Sequence, residues 1–457
     1  MNERELSRTI QGEIKKAVGE KATVSIEDSV VRLSGQFPSN QSVVDAGHIA
    51  GSFEQVRGVL NEIDYPGKKP FIPPPKVSDE LAGKEFDVVI VGGGIIGVAI
   101  ARELSQFNLS TALFERHDDL GTDQTAHSNA VIHPAIVTKS STLKWEMNYR
   151  GNPMYDEVAS QLDVDFKRVG TLVVAENPDE ELLFPHVTKM AIKHKDPDPK
   201  ELDREELDRI EPGLAPNIRK GLLIRNTGII SPFELTIAYA ENAMANGVQF
   251  FVNTSVIGVQ TEEGSIKAVD TTRGTIRTHI LVNAAGLYAD RIAEFAGDRF
   301  FTIHPRKGET IIFDKSYQPV RTVLVSFSME GEGSKYSKGG GVIPTVDGNL
   351  QFGPTAEEVC DREDVSTTFA GLEVLFDKFA PVLERLKPHY EKPDKSKVIT
   401  HFAGCRAATY KEDFIIEPSK QVKGLVHVAG IQSPGLASAP AIAERVKEII
   451  VQEWHPV

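Results

Sequence analysis

The sequence predicts an α/β chain with a doubly wound core, a mostly antiparallel α+β second domain, and a small α+β unit ahead of both. Three observations predict it. An apolar strand runs into spaced glycines and a helix over residues 87–104, two more strand–glycine–helix segments recur far downstream, and a proline cluster isolates residues 1–65.

In the first unit, Leu6, Ile10, Ile14 and Val18 recur every four residues, so one helix carries an apolar stripe. The stretch "ATVSIEDSVVRLSG" alternates around Glu27-Asp28-Ser29 and predicts a β-hairpin. A second helix from Ser42 and a short strand in "VRGVLNEI" complete the unit at residue 65. Residues 66–84 begin "PGKKPFIPPP", a composition that favours a stiff extended linker over a packed element.

Composition narrows the class. Acidic residues outnumber basic ones, 65 to 51, which argues against a nucleic-acid partner and against a surface built for anionic lipid. Cys360 and Cys405 are too few for a disulfide scaffold or a Cys-ligated cluster, and no metal-ligand set is read; a reducing, cytoplasmic location is expected. The N-terminus lacks a signal-peptide apolar core and no segment approaches the ~18 apolar residues of a membrane span, with peripheral membrane contact left open. At 457 residues the chain has room for two or three domains and a complete enzyme.

The chemistry starts at "FDVVIVGGGIIGVAIARELSQFNLSTALFER". Gly92 allows a tight turn, Gly94 lets the backbone approach a pyrophosphate, and Gly97 permits close helix–strand packing, while the helix N-terminus offers amides and positive dipole. Glu115, ending the second strand, would accept hydrogen bonds from an adenosine ribose and repel a 2′-phosphate, which argues against NADP. Downstream, "THILVNAAGLYADRIAEFAG" and "GLVHVAGIQSPGLASAPAIAERV" each place an apolar strand before a glycine turn and a helix.

These segments together resemble the D-amino-acid oxidase superfamily of FAD enzymes. "PRKGETIIFDK", "GVIPTVDGNLQFGPTAEEV" and "FAGCRAATYKEDFIIEPS" resemble its branch of glycerol-3-phosphate dehydrogenases and oxidases and L-2-hydroxyglutarate dehydrogenases. The resemblance implies a glutathione-reductase-like FAD-binding Rossmann domain from about 85–145, 235–300 and 400–457, and a substrate domain from about 146–234 and 301–399. The FAD contacts it implies are Gly92, Gly94, Ile95, Ile96, Gly97, Glu115, Arg116, Thr125, Ser128, Asn129, Val256, Ala285, Gly286, Asp290, Gly430, Gly435 and Leu436. Residues 1–65, through "VSIEDSVVRLSG" and "HIAGSFEQVRGVLNEI", resemble a BON domain, with Ser29 where that family often has glycine; this implies a binding module.

"TAHSNAVIHPAI" matches a family stretch whose histidine reaches the reacting face of the flavin, here His133. An imidazole suits removal of a hydroxyl proton. Pro134-Ala135 departs from the family pattern and leaves the backbone path after His133 open. Arg406 matches the family arginine that enters from the substrate side, where a guanidinium fork fits a carboxylate or phosphate. Lys307 and Tyr410 are further candidates for substrate binding, and the glycine-rich "MEGEGSKYSKGGGV" is read as a hairpin loop.

The expected activity is FAD-dependent oxidation of the CH–OH group of a small anionic alcohol, glycerol 3-phosphate or a 2-hydroxy acid. One alternative is CH–NH oxidation of an amino acid or secondary amine on the same scaffold. Another is a flavoprotein subunit of an electron-transfer complex, docked through the N-terminal module. Some family members continue into a Cys-rich cluster domain, whereas this chain ends at Val457. Electrons are therefore expected to pass to oxygen, a quinone or an electron-acceptor protein, and further subunits in an oligomer are expected.

Overall fold

A computed structural model describes residues 2–196, 199–326, 340–388, 390 and 393–454. Most of the glycine-rich loop, with Lys335, Tyr336 and Lys338, lies outside the described residues.

The N-terminal unit has the expected element order. Helix Glu3–Val18 opens with a reciprocal Asn2/Glu5 capping box and buries Leu6, Ile10 and Ile14. Strands Thr23–Glu27 and Val30–Ser34 pair antiparallel, and Gly58–Asn61 joins the second in parallel. Asp28 and Ser29 make the tight turn with φ of 49° and 63°, the left-handed region in which a β-hairpin turn is favoured.

This unit does not stand apart. Its apolar core incorporates Tyr410 from the far end of the chain. Helix Asn40–Gly51 passes so close that a Cβ on Gly47 would lie 2.3 Å from the Tyr410 ring, and one on Gly58 would lie 2.0 Å from the Phe300 carbonyl oxygen. Arg57 pairs with Glu417 at 2.6 Å, and Thr302 Oγ1 accepts from Asn61 N at 3.1 Å.

The linker is extended, as its prolines require, but it is packed rather than free. Lys69 pairs with Asp361 at 2.8 Å, Val77 N and Ser78 N donate to the Thr272 carbonyl, and Leu81 is buried.

The dinucleotide core is a twisted sheet whose parallel strands Gln249–Phe251, Thr111–Phe114, Glu85–Val91, Gly274–Asn283 and Leu425–Ala429 come from widely separated parts of the chain. Helices Ile95–Leu104, Leu143–Leu162, Pro232–Ala245 and Gly435–Trp454 contribute to the apolar layer on one side. An antiparallel meander, Val256–Glu262 with Ser265–Thr271, extends the sheet edge.

The second domain is a nine-stranded, mostly antiparallel sheet covered by helix Phe369–Leu383. Two expected boundaries move. Helix Leu143–Leu162 packs on the dinucleotide core, so residue 145 is not a boundary. Strand Val398–Thr409 pairs along Ile303–Phe313 and so belongs to the substrate sheet, carrying Arg406 into it.

Candidate active site

Strand Glu85–Val91 is apolar because its C-terminal half is enclosed within the molecule, and it delivers the chain into the glycine turn. Gly92 has φ of 109°, and a Cβ there would sit 2.4 Å from the Ala284 carbonyl oxygen. A Cβ on Gly97 would sit 1.9 Å from the Gly92 carbonyl oxygen, so helix Ile95–Leu104 lies directly against the turn. Gly94, the N-cap, has no side chain to satisfy the first amides; Thr125 Oγ1 takes the Ile95 N–H at 3.0 Å. The Glu115 carboxylate accepts from Gly93 N at 2.7 Å and from His117 N at 2.8 Å, which holds it beside the turn.

These groups line one end of a cavity of about 1570 Å³, well above the roughly 300–1,000 Å³ that holds a drug-sized ligand. Of the expected cofactor residues, Gly92, Gly94, Ile95, Ile96, Glu115, Arg116, Thr125, Ser128, Asn129, Val256, Ala285, Gly286, Gly435 and Leu436 line it. Arg116 does so with its charge committed to Asp123 and Glu363 and its guanidinium 4.5 Å over the Tyr288 ring.

Three expected contacts do not line the cavity. Gly97 acts through packing alone. Gly430, at φ of 66°, only turns the chain after strand Leu425–Ala429. Asp290 is buried against Arg362, accepting at 2.7 Å on each carboxylate oxygen, and takes the Ile303 N–H as well. Burial would push its carboxyl up, but Arg362 holds it below the usual range. Asp290 is therefore a brace for Arg362, and it is Arg362 that reaches the cavity.

The same cavity is lined by His133 and Arg406, 273 positions apart in sequence. His133 follows the short strand Val131–Ile132. The path that Pro134-Ala135 left open is fixed by Asp196, whose carboxylate accepts from Ala135 N at 2.8 Å and Ile136 N at 2.5 Å. Asn148 and Asn152 hold the Pro134 and His133 carbonyls.

Arg406 lies opposite Arg306 across the strand pair. Its Nη2 donates to the Thr355 carbonyl at 3.2 Å, and its Nη1 is buried with no hydrogen-bond partner among the described residues. Burial, then the Arg306 charge, lowers its guanidinium to about 10, so it stays charged at neutral pH. Lys378, on helix Phe369–Leu383, also lines the cavity and donates to the neighbouring Pro354 carbonyl at 2.7 Å. Burial and the Arg406 charge push its amine down to about 8. Two cations are thus anchored on neutral carbonyls of consecutive residues, Pro354 and Thr355.

Lys307 and Tyr410 are corrected by the geometry. Arg306 and Gly308 line the cavity, but Lys307 between them does not and pairs with Asp364 at 3.0 Å. Successive side chains on a strand face opposite ways, so the basic residue on the cavity side of "PRKGE" is Arg306. Tyr410 is enclosed by the N-terminal module, stacked on His304 at 4.7 Å, and never reaches the cavity. Lys378 has a signal in the sequence: it shares the buried helix face of Leu375, Phe379 and Val382, where a lysine is costly without a purpose.

The cavity fits FAD on the chain's own features. The glycine cradle excludes side chains, helices begin at Ile95 and Gly435 beside it, and Asn129 Nδ2 and Arg406 Nη1 are buried donors awaiting acceptors. Residues 87–449 match the family described as FAD dependent oxidoreductase (DAO), and the chain belongs to that family, with FAD as its cofactor. It is 39% identical over 365 residues to a glycerol 3-phosphate dehydrogenase of Caloramator mitchellensis, a span covering 80% of this chain and 74% of that one. It is 26% identical over 416 residues to the mitochondrial L-2-hydroxyglutarate dehydrogenase of Arabidopsis thaliana, covering 81% and 84%. Dithionite-reduced L-alpha-glycerophosphate oxidase from Mycoplasma pneumoniae, with FAD bound, shares the fold at a TM-score of 0.70 and 27% identity, covering 80% of this chain and 95% of that one. No helix among the described residues is long and apolar enough to cross a membrane.

Proposed function

We propose that this protein oxidises the CH–OH carbon of a small anionic alcohol, glycerol 3-phosphate or a 2-hydroxy acid, to the corresponding carbonyl. The observation that carries this is the pair Arg406 and Lys378: two half-buried cations at the cavity, one with a buried donor that has no partner among the described residues, suit a phosphate or carboxylate. Anchoring that anion would present the hydroxyl-bearing carbon to His133, which lines the same cavity. There an imidazole nitrogen of His133 takes the hydroxyl proton as the C–O bond becomes a carbonyl. The chemistry that bound FAD would supply is uptake of the two electrons and the hydrogen that leave the carbon. The backbone around His133 is pinned by Asp196, Asn148 and Asn152, which fixes the point from which the side chain projects.

The test is anaerobic bleaching of the bound flavin by glycerol 3-phosphate, a panel of 2-hydroxy acids and N-methyl amino acids. Bleaching by an anionic alcohol is the expected result; bleaching by the amines alone would overturn the proposal. The same reading assigns the electrons to a separate acceptor, and reoxidation by oxygen, a soluble quinone or a protein fraction identifies which.

A further inference from the structure

The proline-rich segment that joins the N-terminal module to the body does more than span a distance. Lys69, Pro70, Phe71, Ile72 and Pro74 line the same cavity as Gly92, Glu115 and Val256. Phe71 is set in an aromatic cluster, its ring 5.8 Å from Tyr288 and 6.2 Å from Phe295, with the Arg291 guanidinium 5.1 Å away. Tyr288 in turn takes the guanidinium of Arg116, the residue after Glu115. This places the segment at the Glu115 end of the cavity, where a dinucleotide of this geometry puts its adenosine. Beside Phe71, Ile72 is 78% exposed, a large apolar side chain on the cavity wall with almost nothing of the chain covering it.

We propose that residues 69–74 form part of the nucleotide site itself, a preformed apolar wall against which the adenine of FAD packs, so that the N-terminal arm helps to hold the cofactor. The proposal rests on the FAD assignment and goes beyond the glycine cradle, which grips only the pyrophosphate. Anchorage supports it: the Lys69–Asp361 pair fixes one end, and the Val77 and Ser78 amides on Thr272 fix the other. Prolines at 70, 73, 74 and 75 stiffen the stretch, so little ordering entropy is lost when the ligand arrives. Adenine is flat and apolar on its faces, which suits the aliphatic and aromatic surface that Phe71 and Ile72 present.

The experiment uses the full-length apoprotein and two variants, Ile72→Ser and the double change Phe71→Ser with Ile72→Ser. Affinities for FAD, ADP and FMN are measured by titration calorimetry, and the melting temperature of each apoprotein is recorded. FAD and ADP are expected to weaken about tenfold in the double variant, the effect of uncovering roughly one apolar side chain, with FMN, which lacks adenosine, unchanged. Ile72→Ser alone, at an exposed position, is expected to shift FAD and ADP in the same direction without lowering the melting temperature. Unchanged FAD and ADP affinities, or an equal loss for FMN, would overturn the proposal. A wild-type chain that binds FMN but not FAD would instead overturn the cofactor assignment, a separate result.

Discussion

His48 of the N-terminal module stands edge-on to His304 of the body, with ring centroids 5.1 Å apart and planes at 87°. Around this contact lies a buried knot of charge. Arg306 Nε donates to Glu358 at 2.5 Å and its Nη2 donates to Glu412 at 2.7 Å, while His304 Nδ1 lies 2.8 Å from Glu358. Burial first, then the His304 ring, pushes the His48 imidazole down to about 4, so it enters the interface neutral. Glu412 reaches on to Gln432 at 2.7 Å, and both Gln432 and Arg306 line the cavity. The module is therefore connected by polar contacts to residues of the cavity wall.

Glu358 makes this wiring sensitive to acid. Burial would raise its carboxyl, but the His304 hydrogen bond and the Arg306 charge bring it down to about 2 from an ordinary 4.5. A depressed carboxylate stabilises the fold fully above its unfolded value, so the contribution is complete above pH 4.5 and drains away as pH falls toward 2. Glu358→Gln should cost about 3 kcal/mol at pH 6, since it leaves Arg306 short of a partner, and the gap to wild type should narrow below pH 4.5. Urea unfolding at a series of pH values measures it; a gap independent of pH would contradict this account.

Arg406→Ala is expected to lower kcat/KM for the anionic substrate about 10- to 150-fold, the loss of one or two charge-assisted hydrogen bonds, with little change in FAD affinity. Lys378 adds a pH signature. Its amine loses its proton near pH 8, so kcat/KM should fall as pH rises through that value. Lys378→Met should abolish the inflection.

His133→Asn removes the proton acceptor while keeping a polar side chain of similar reach. Rapid-reaction measurement of flavin bleaching should show a rate constant lower by about 10²- to 10⁴-fold. Cofactor affinity should hold, because the backbone pins to Asp196 do not involve the ring.

Gly58→Ala tests the docking of the module. Its new methyl would meet the Phe300 carbonyl oxygen at 2.0 Å, a backbone atom that cannot swing aside. A loss of about 1–3 kcal/mol is expected. Faster proteolysis within residues 66–84 would accompany it, as that segment loses its first anchor.

What was legible in the sequence is what local spacing encodes. Gly92, Gly94, Gly97 and Glu115 lie within one βαβ unit, where short-range sterics dictate the residue types. The hairpin at Asp28-Ser29 and the stripe of Leu6, Ile10 and Ile14 were legible for the same reason. That Arg306 and not Lys307 lines the cavity is not legible locally, because side-chain parity is set only once Ile303–Phe313 pairs with Val398–Thr409. The enclosure of Tyr410 is not legible either, because its environment comes from a module about 360 residues earlier, a docking that no local pattern announces. The contact of Phe71 and Ile72 with the cavity is long-range in the same way, whereas Lys378 could have been found from its place on an apolar helix face.

The interleaving of the dinucleotide sheet has a consequence for biosynthesis. Strand Leu425–Ala429 pairs with Leu281–Asn283, and the helix that follows it brings Gly435 and Leu436 to the cavity wall. Until residue 429 has been made, a nascent chain holds the glycine turn but shows an open strand edge where Leu425–Ala429 belongs. The cavity wall is thereby complete only once Gly435 and Leu436 have been made, and a chain arrested before residue 425 would lack that wall and keep an unpaired strand edge, an aggregation hazard.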